Sequence, residues 1–215
     1  MNNNIVIAID GASASGKSTA AKAVARALGF IHVDTGAMYR TLAWYCLKKG
    51  VDVHDGPAVA ALCGQWKATL DCVDHTIRLL VDGHYPAAEI RTTQVSAATP
   101  LVAAAPKVRQ WMKETQRRCL QFGSLVMEGR DIGAHVFPEA QLKFYLDATL
   151  TERAKRRAAE GSRENIEARD EHDTRRTAAP LKIAPDAIVI NNSHLTAAQT
   201  SALILDHVKK DLALI

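Results

Sequence analysis

Residues 5–19 read IVIAIDGASASGKST, and this stretch constrains the chain more than any other. A short apolar run breaks into a loop of Gly, Ala and Ser, and the loop runs into an Ala-rich segment with helical character. Gly11, Gly16, Lys17 and Ser18 fit the phosphate-binding pattern G-x-x-x-x-G-K-[ST]. Glycines and small side chains let backbone N–H groups curl into an anion-binding nest. The helix that follows begins with unpaired N–H groups and a positive dipole end. In such a loop Gly11, Ala12, Ser13, Ala14, Ser15, Gly16, Lys17, Ser18 and Thr19 would cradle a nucleoside triphosphate. Lys17 would reach the β- and γ-phosphates, and the Ser18 hydroxyl would hold Mg²⁺. A surface lysine on a Gly/Ser-rich turn is the alternative, and the flanking strand and helix argue against it.

The 215 residues suit one α/β domain with small insertions, residues 1–215. With 47% hydrophobic and 23% charged residues the composition is that of an ordinary globular protein. A net charge of +4 is too mild to argue for nucleic acid or membrane. The basic residues cluster between 153 and 176, where a solvated face, a nucleic-acid patch or arginines closing over phosphates are the readings. No C-x-x-C pair occurs among the four cysteines, which read as buried reduced thiols. Met1–Asn4 carries no basic n-region and no run approaches a membrane span, so the expected location is the cytoplasm.

In chain order, a helix closing at Gly29 leads to a second strand at 30–33, which makes the sheet parallel. Asp34-Thr35-Gly36 stands at that strand's carboxyl end, where ligands bind in open α/β sheets, and a helix follows over 37–49. Thr35, Tyr39 and Arg40 therefore fall near the phosphate loop. Asp34 and Thr35 are equally explained as N-cap residues, whereas Arg40 opposes the helix dipole and is not. Residues 67–73, 76–81 and 85–90 predict a small antiparallel meander. A helix is expected over 91–105 as far as Pro100, and a stronger one over 107–121. Strands at 124–127 and 142–146 deliver Glu128-Gly129-Arg130-Asp131 and Asp147. Thr149 and Glu152 form a capping-box pattern before a basic helix. Residues 161–181 are polar and weakly periodic, reading as a linker or a functional loop. A last strand at 187–190 and a helix over 196–213 complete a P-loop α/β fold of the nucleotide-kinase type. Its expected form is a five-stranded parallel sheet flanked by helices, with a β-rich insertion and a short lid.

The guanine-reading N-K-x-D motif of GTPases is absent, and a motor ATPase usually needs a longer chain. A small kinase fits better, because phosphoryl transfer calls for several arginines and for exclusion of water.

The motif set then resembles the bacterial (d)CMP kinases, the cytidylate kinases of the nucleoside-monophosphate kinase group. The carrying segments are 11–19, Asp34-Thr35-Gly36-Ala37-Met38-Tyr39-Arg40, Glu89-Ile90-Arg91-Thr92, Pro106-Lys107-Val108-Arg109 and Gly129-Arg130-Asp131-Ile132-Gly133. Phe137-Pro138, Leu146-Asp147-Ala148, Glu152-Arg153-Ala154, Arg156-Arg157, Arg169-Asp170, Asp173, Arg176 and Ala179-Pro180-Leu181 continue it over nearly the whole chain. The resemblance implies transfer of the γ-phosphoryl group of ATP to CMP or dCMP by a monomer, with an acceptor-binding region at about 35–105, its β insertion at 67–90, and a lid at about 153–181. It implies Thr35, Tyr39 and Arg40 at the acceptor. Arg109, Arg130 and Asp131 would stand on cytosine, and Arg169, Asp173 and Arg176 on sugar and phosphate. Lys17, Arg153, Arg157 and Arg176 would be the catalytic cations, and Glu128 would act on Mg²⁺ through water. A local ion pair remains the alternative for Arg130–Asp131, and a solvated helix face for Lys155 and Arg156. Three features depart from the family: Ala12, Ala14 and Ser18 replace Pro, Gly and Gly; Pro100 replaces a base-contacting Ser, which would leave base discrimination to Arg109, Asp131 and Thr99 or Ser96; and the segment between Arg157 and Arg169 is short. Other P-loop kinases of UMP/CMP or dephospho-coenzyme A, and an RNA-associated nucleotide-binding protein, are the alternatives.

Overall fold

The computed structural model describes residues 4–159, 166–175 and 182–212. Among these residues seven strands form one sheet: β1 (Val6–Gly11), β2 (Ile31–Asp34), β3 (Ala68–Val73), β4 (Thr76–Val81), β5 (Leu125–Gly129), β6 (Leu142–Asp147) and β7 (Ile188–Asn191). Eight helices accompany them in the described residues: α1 (Lys17–Leu28), α2 (Thr35–Lys48), α3 (Gly56–Gln65), α4 (Thr93–Ala104), α5 (Pro106–Arg118), α6 (Leu150–Ala159), α7 (Ile166–Arg175) and α8 (Ala197–Leu212). The strand order is β3-β4-β2-β5-β1-β6-β7, parallel except for the β3–β4 pair.

Parallel strands covered on both faces read as continuous apolar runs, and β1 is buried along its whole length. Its side chains alternate between two cores. Val6 and Ala8 join Val33, Leu42, Met112 and Met127 on the face covered by α2 and α5. Ile7 and Ile9 join Val24, Phe144, Ile204 and Val208 under α1 and α8. Helix α1 stops where expected: Gly29 takes φ 66° and its N–H returns to the last turn. Helix α8 opens on a reciprocal capping box, Gln199 N–H to Thr196 Oγ1 at 3.2 Å and Thr196 N–H to Gln199 Oε1 at 2.9 Å.

Four expectations are corrected. The sheet has seven strands rather than five, because the hairpin of β3 and β4 extends the main sheet through the pair His32–Thr76 instead of standing apart. The meander has two strands. They are joined by the turn Asp74-His75, both residues at positive φ. After β4, residues 85–90 pass from a bridge at His84 into a short 3₁₀ turn, Glu89–Arg91. Pro86 has no N–H to give a ladder, so a third strand would be broken near its start. Helix α4 runs through Pro100 to Ala104. Proline removes the bond to the Ser96 carbonyl, yet Val95, Thr99, Val102 and Ala103 are buried on both sides of it, and packing carries the helix past the defect. Finally, part of the stretch read as a loop is helix α7.

Cys46, Cys63 and Cys119 are buried, and burial pushes their thiols up to about 11, 12 and 12. Cys72, half-buried on β3, is the accessible member. A disulfide-exchange reagent at pH 8 is therefore expected to label one thiol quickly in the folded protein and four in denaturant. Loss of the fast phase in Cys72→Ser checks the assignment, and fast labelling of three or four thiols in the native state would contradict it.

Candidate active site

The phosphate loop is shaped by its neighbours. A Cβ on Gly11 would lie 2.5 Å from the Leu146 carbonyl oxygen and 2.7 Å from Ser15 Oγ, so only glycine lets the loop leave β1 there. Ala14 and Gly16 both take left-handed conformations, φ 57° and 88°. The nest geometry survives alanine at position 14, at a backbone cost of about 1–2 kcal/mol. Lys17, 8% exposed, donates to the Ala12 carbonyl at 2.9 Å.

Opposite the loop, the ends of β2 and β5 supply a second wall. Asp34 caps α2 by accepting the Ala37 N–H at 2.8 Å. It also pairs with Arg40 at 3.3 Å and Arg91 at 3.4 Å. Burial raises the Asp34 carboxyl, but Arg40, the Ala37 N–H and Arg91 together bring it below the usual carboxylate range. Arg40 Nε is buried with no hydrogen-bond partner among the described residues, so this guanidinium has unspent donor capacity beside the cleft. Thr35 Oγ1 donates to the Glu128 carbonyl at 2.7 Å, tying α2 to β5. Glu128 is 3% exposed and burial pushes its carboxyl up. Its side chain bonds Ser18, while Oε1 has no partner among the described residues.

Beyond β5 the chain turns through a π-helical turn, Ile132–Val136. At its start Asp131 pairs with Arg109 of α5, both nearly buried, and His135 Nδ1 stands 3.8 Å from the same carboxylate. The Arg109 guanidinium also lies 5.8 Å from the centre of the Tyr39 ring. Arg130 instead reaches back to the Gly11 carbonyl at 3.1 Å. Asp131 therefore pairs with Arg109, not with its chain neighbour. Asp10, at the end of β1, accepts the N–H groups of Ile132 and Gly133, each at 2.8 Å; burial pushes its carboxyl up to about 7 against these two bonds.

One cavity of about 480 Å³ unites these groups. Its wall includes Ser13, Ala14, Gly16, Lys17, Ser18 and Thr19 of the loop together with Thr35, Tyr39, Arg40, Arg109, Glu128, Arg130, Asp131, Arg157 and Arg169. Gly11, Ala12 and Ser15 are buried parts of the loop outside that wall. Arg153 is also outside it: its guanidinium donates to the Ala148 and Ser13 carbonyls and pairs with Asp170. Asp170 Oδ1 accepts the Ser13 N–H at 3.0 Å, and Arg157 bonds Ser13 Oγ at 2.9 Å. The backbone of Asp173 belongs to α7 but its side chain lies outside the described residues, as does the whole of Arg176.

Arg91 and Ala103 also line the cavity, although sequence reasoning gives them no role there; Ser96 and Thr99, the two hydroxyls considered for base discrimination beside Pro100, line it too. The Glu-Ile-Arg-Thr motif is the signal for Arg91. Arg156, read as a solvated residue, is corrected: it donates to the Ser15 carbonyl at 3.3 Å, Asn192 Oδ1 at 3.1 Å and the Asn192 carbonyl at 2.8 Å. Asn192 in turn donates to the Ser15 carbonyl at 2.8 Å. These groups border a second cavity of about 240 Å³ behind the loop, with Thr19, Leu195 and Thr200.

Residues 7–210 match the family model described as cytidylate kinase. The chain belongs to the cytidylate kinase family. Curated relatives carrying that name include one from Neisseria gonorrhoeae, 42% identical over 98% of this chain and 100% of that protein. Another, from Geobacillus thermodenitrificans, is 39% identical over 98% of this chain and 99% of that protein. A bifunctional pantoate ligase/cytidylate kinase from a Synechococcus strain is 40% identical over 93% of this chain, which spans 40% of that protein's length. Most of the residues singled out in the sequence meet around a common cavity at the carboxyl ends of β1, β2 and β5. Among the described residues no helix is long and apolar enough to cross a membrane.

Proposed function

We propose that the chain transfers the γ-phosphoryl group of ATP to CMP or dCMP, giving ADP and the cytidine diphosphate. The observation that carries this is the cavity joining a phosphate loop to the Arg109–Asp131 pair and Arg40. Phosphoryl transfer is mostly positioning and charge neutralisation, and the cavity walls supply both.

On the donor side, the loop N–H groups and Lys17 bind the phosphates, and the smaller cavity beside Arg156 and Asn192 takes the adenine ring. Ser18 and Oε1 of buried Glu128, which has no partner among the described residues, suit Mg²⁺, Ser18 directly and Glu128 through water. Held by these two residues, the ion would supply positive charge that offsets the negative charge of the triphosphate. On the acceptor side, Arg40 and Arg169 hold the monophosphate, with Thr35 and Tyr39 beside it, and Asp173 and Arg176 join them at sugar and phosphate. Asp131 accepts the cytosine amino proton while Arg109 and Arg130 serve its ring nitrogen and carbonyl. Arg153, Arg157 and Arg176 offset the charge of the transferring group from the lid, residues 153–181. No general base is required, because the acceptor phosphate oxygen is anionic at neutral pH. Free nucleotides, not nucleic acid, are the partners, and we expect a monomer in the cytoplasm, where reduced cysteines persist.

A coupled ADP-release assay across the nucleoside monophosphates tests the reading. CMP and dCMP should stimulate ADP formation far above AMP, UMP and dTMP at equal concentration. A better acceptor elsewhere in that set, or salt-sensitive RNA binding without acceptor-stimulated turnover, would overturn it.

A further inference from the structure

Asp10 sits in an otherwise apolar strand and is 5% exposed. A buried carboxylate is costly unless its oxygens are bonded, and here both are. Oδ1 accepts the Ile132 N–H and Oδ2 the Gly133 N–H. Those N–H groups open the π-helical turn that follows Asp131, and the first N–H groups of a turn have no partner within it.

The residue at the head of a helical turn ordinarily supplies this bond itself, and aspartate is among the strongest such caps. Asp131 occupies that position and makes no side-chain cap. Its carboxylate points instead to Arg109 on the cavity wall. The duty Asp131 does not perform is performed by Asp10, from β1 and 122 residues before Ile132 in sequence. We propose that Asp10 is a positioning residue for the acceptor base: by capping the turn in place of Asp131, it leaves the Asp131 carboxylate facing the substrate. The same contact ties the base-reading turn to β1, the strand that carries the phosphate loop, and the Arg130 bond to the Gly11 carbonyl reinforces it. The inference rests on the assignment of Arg109 and Asp131 to the base.

Without the Asp10 carboxylate, the nearest replacement cap is Asp131 itself, which would have to turn from Arg109 to reach its own turn. Asp10→Asn keeps the shape but replaces one acceptor oxygen with an NH₂ donor, so one N–H loses its partner. The expected result is a KM for CMP raised about tenfold or more and a preference for CMP over UMP reduced by a similar factor. The KM for ATP should stay within about twofold. A merely structural role would lower the unfolding temperature and leave base preference intact, which would overturn the proposal. So would an equal rise in both KM values, because Asp10 would then serve the phosphate loop.

Asp131→Asn is assayed alongside. If it leaves base preference unchanged, the base assignment itself is wrong. If it lowers the preference and Asp10→Asn does not, the assignment stands and the positioning role falls. Should Asp10→Asn fail to fold, amide hydrogen exchange on the unmodified protein decides. The Ile132 and Gly133 N–H groups should exchange slowly with no nucleotide present. Fast exchange that slows only on adding CMP would show that the substrate, not Asp10, forms the turn.

Discussion

Replacing Lys17 with alanine is expected to lower kcat by about 10²–10³-fold, the cost of removing one preorganised donor from a developing charge, while the Kd for CMP stays within about twofold. Lys17 is held inside the loop by the Ala12 carbonyl. Its burial makes the charge more effective than it would be in water. The groups proposed to hold the acceptor lie on other elements: Arg40 on α2, Arg109 on α5 and Asp131 beyond β5. The measurement pairs steady-state turnover with calorimetric CMP binding on the folded variant. A parallel loss of CMP affinity would mean that Lys17 belongs to the acceptor site.

The second large effect concerns Asp131. Truncation to alanine would leave the buried Arg109 guanidinium without its carboxylate, a loss of about 3–5 kcal/mol of stability that would obscure any catalytic effect. Asp131→Asn is the cleaner variant. It loses a charge-assisted bond worth about 1.5–3 kcal/mol, so the KM for CMP should rise about 10–100-fold. The KM for ATP should hold, because this region reaches the phosphate loop through Arg130 and Asp10, not through the Asp131 side chain. Uracil presents a carbonyl where cytosine presents its amino group, and an asparagine NH₂ can donate to it, so the preference for CMP over UMP should fall as the KM for CMP rises. If both substrates are weakened equally in folded protein, the Arg109–Asp131 pair is structural only.

Much of this arrangement is legible in the chain because it depends on local signals. Gly11 and Gly16 mark a loop that only small residues permit, and apolar runs bounded by Gly and Asp mark buried parallel strands. Legibility fails where the decisive contact is distant in sequence. The β3–β4 hairpin joins the main sheet through His32 and Thr76, a pairing no local pattern announces. A lone Asp10 at the end of an apolar strand does not indicate which amides it will accept. Arg156 looks like its neighbour Lys155 until Asn192, 36 residues later, folds against it. Helix α7 is hard to see in the sequence because its charged residues answer to the phosphate loop and cavity rather than to a core: Asp170 bonds Ser13 and Arg153, and Arg169 lines the cleft.

That last contact bears on how affinities should be interpreted. A loop N–H of Ser13 already holds a carboxylate, anchored by Arg153, in a position suited to an anionic ligand. An incoming triphosphate that claims the Ser13 N–H exchanges one anion for another instead of filling bare donors. The apparent affinity for a triphosphate then contains the free energy of releasing Asp170, and it equals the intrinsic affinity of the loop multiplied by the fraction of molecules in which that contact is open.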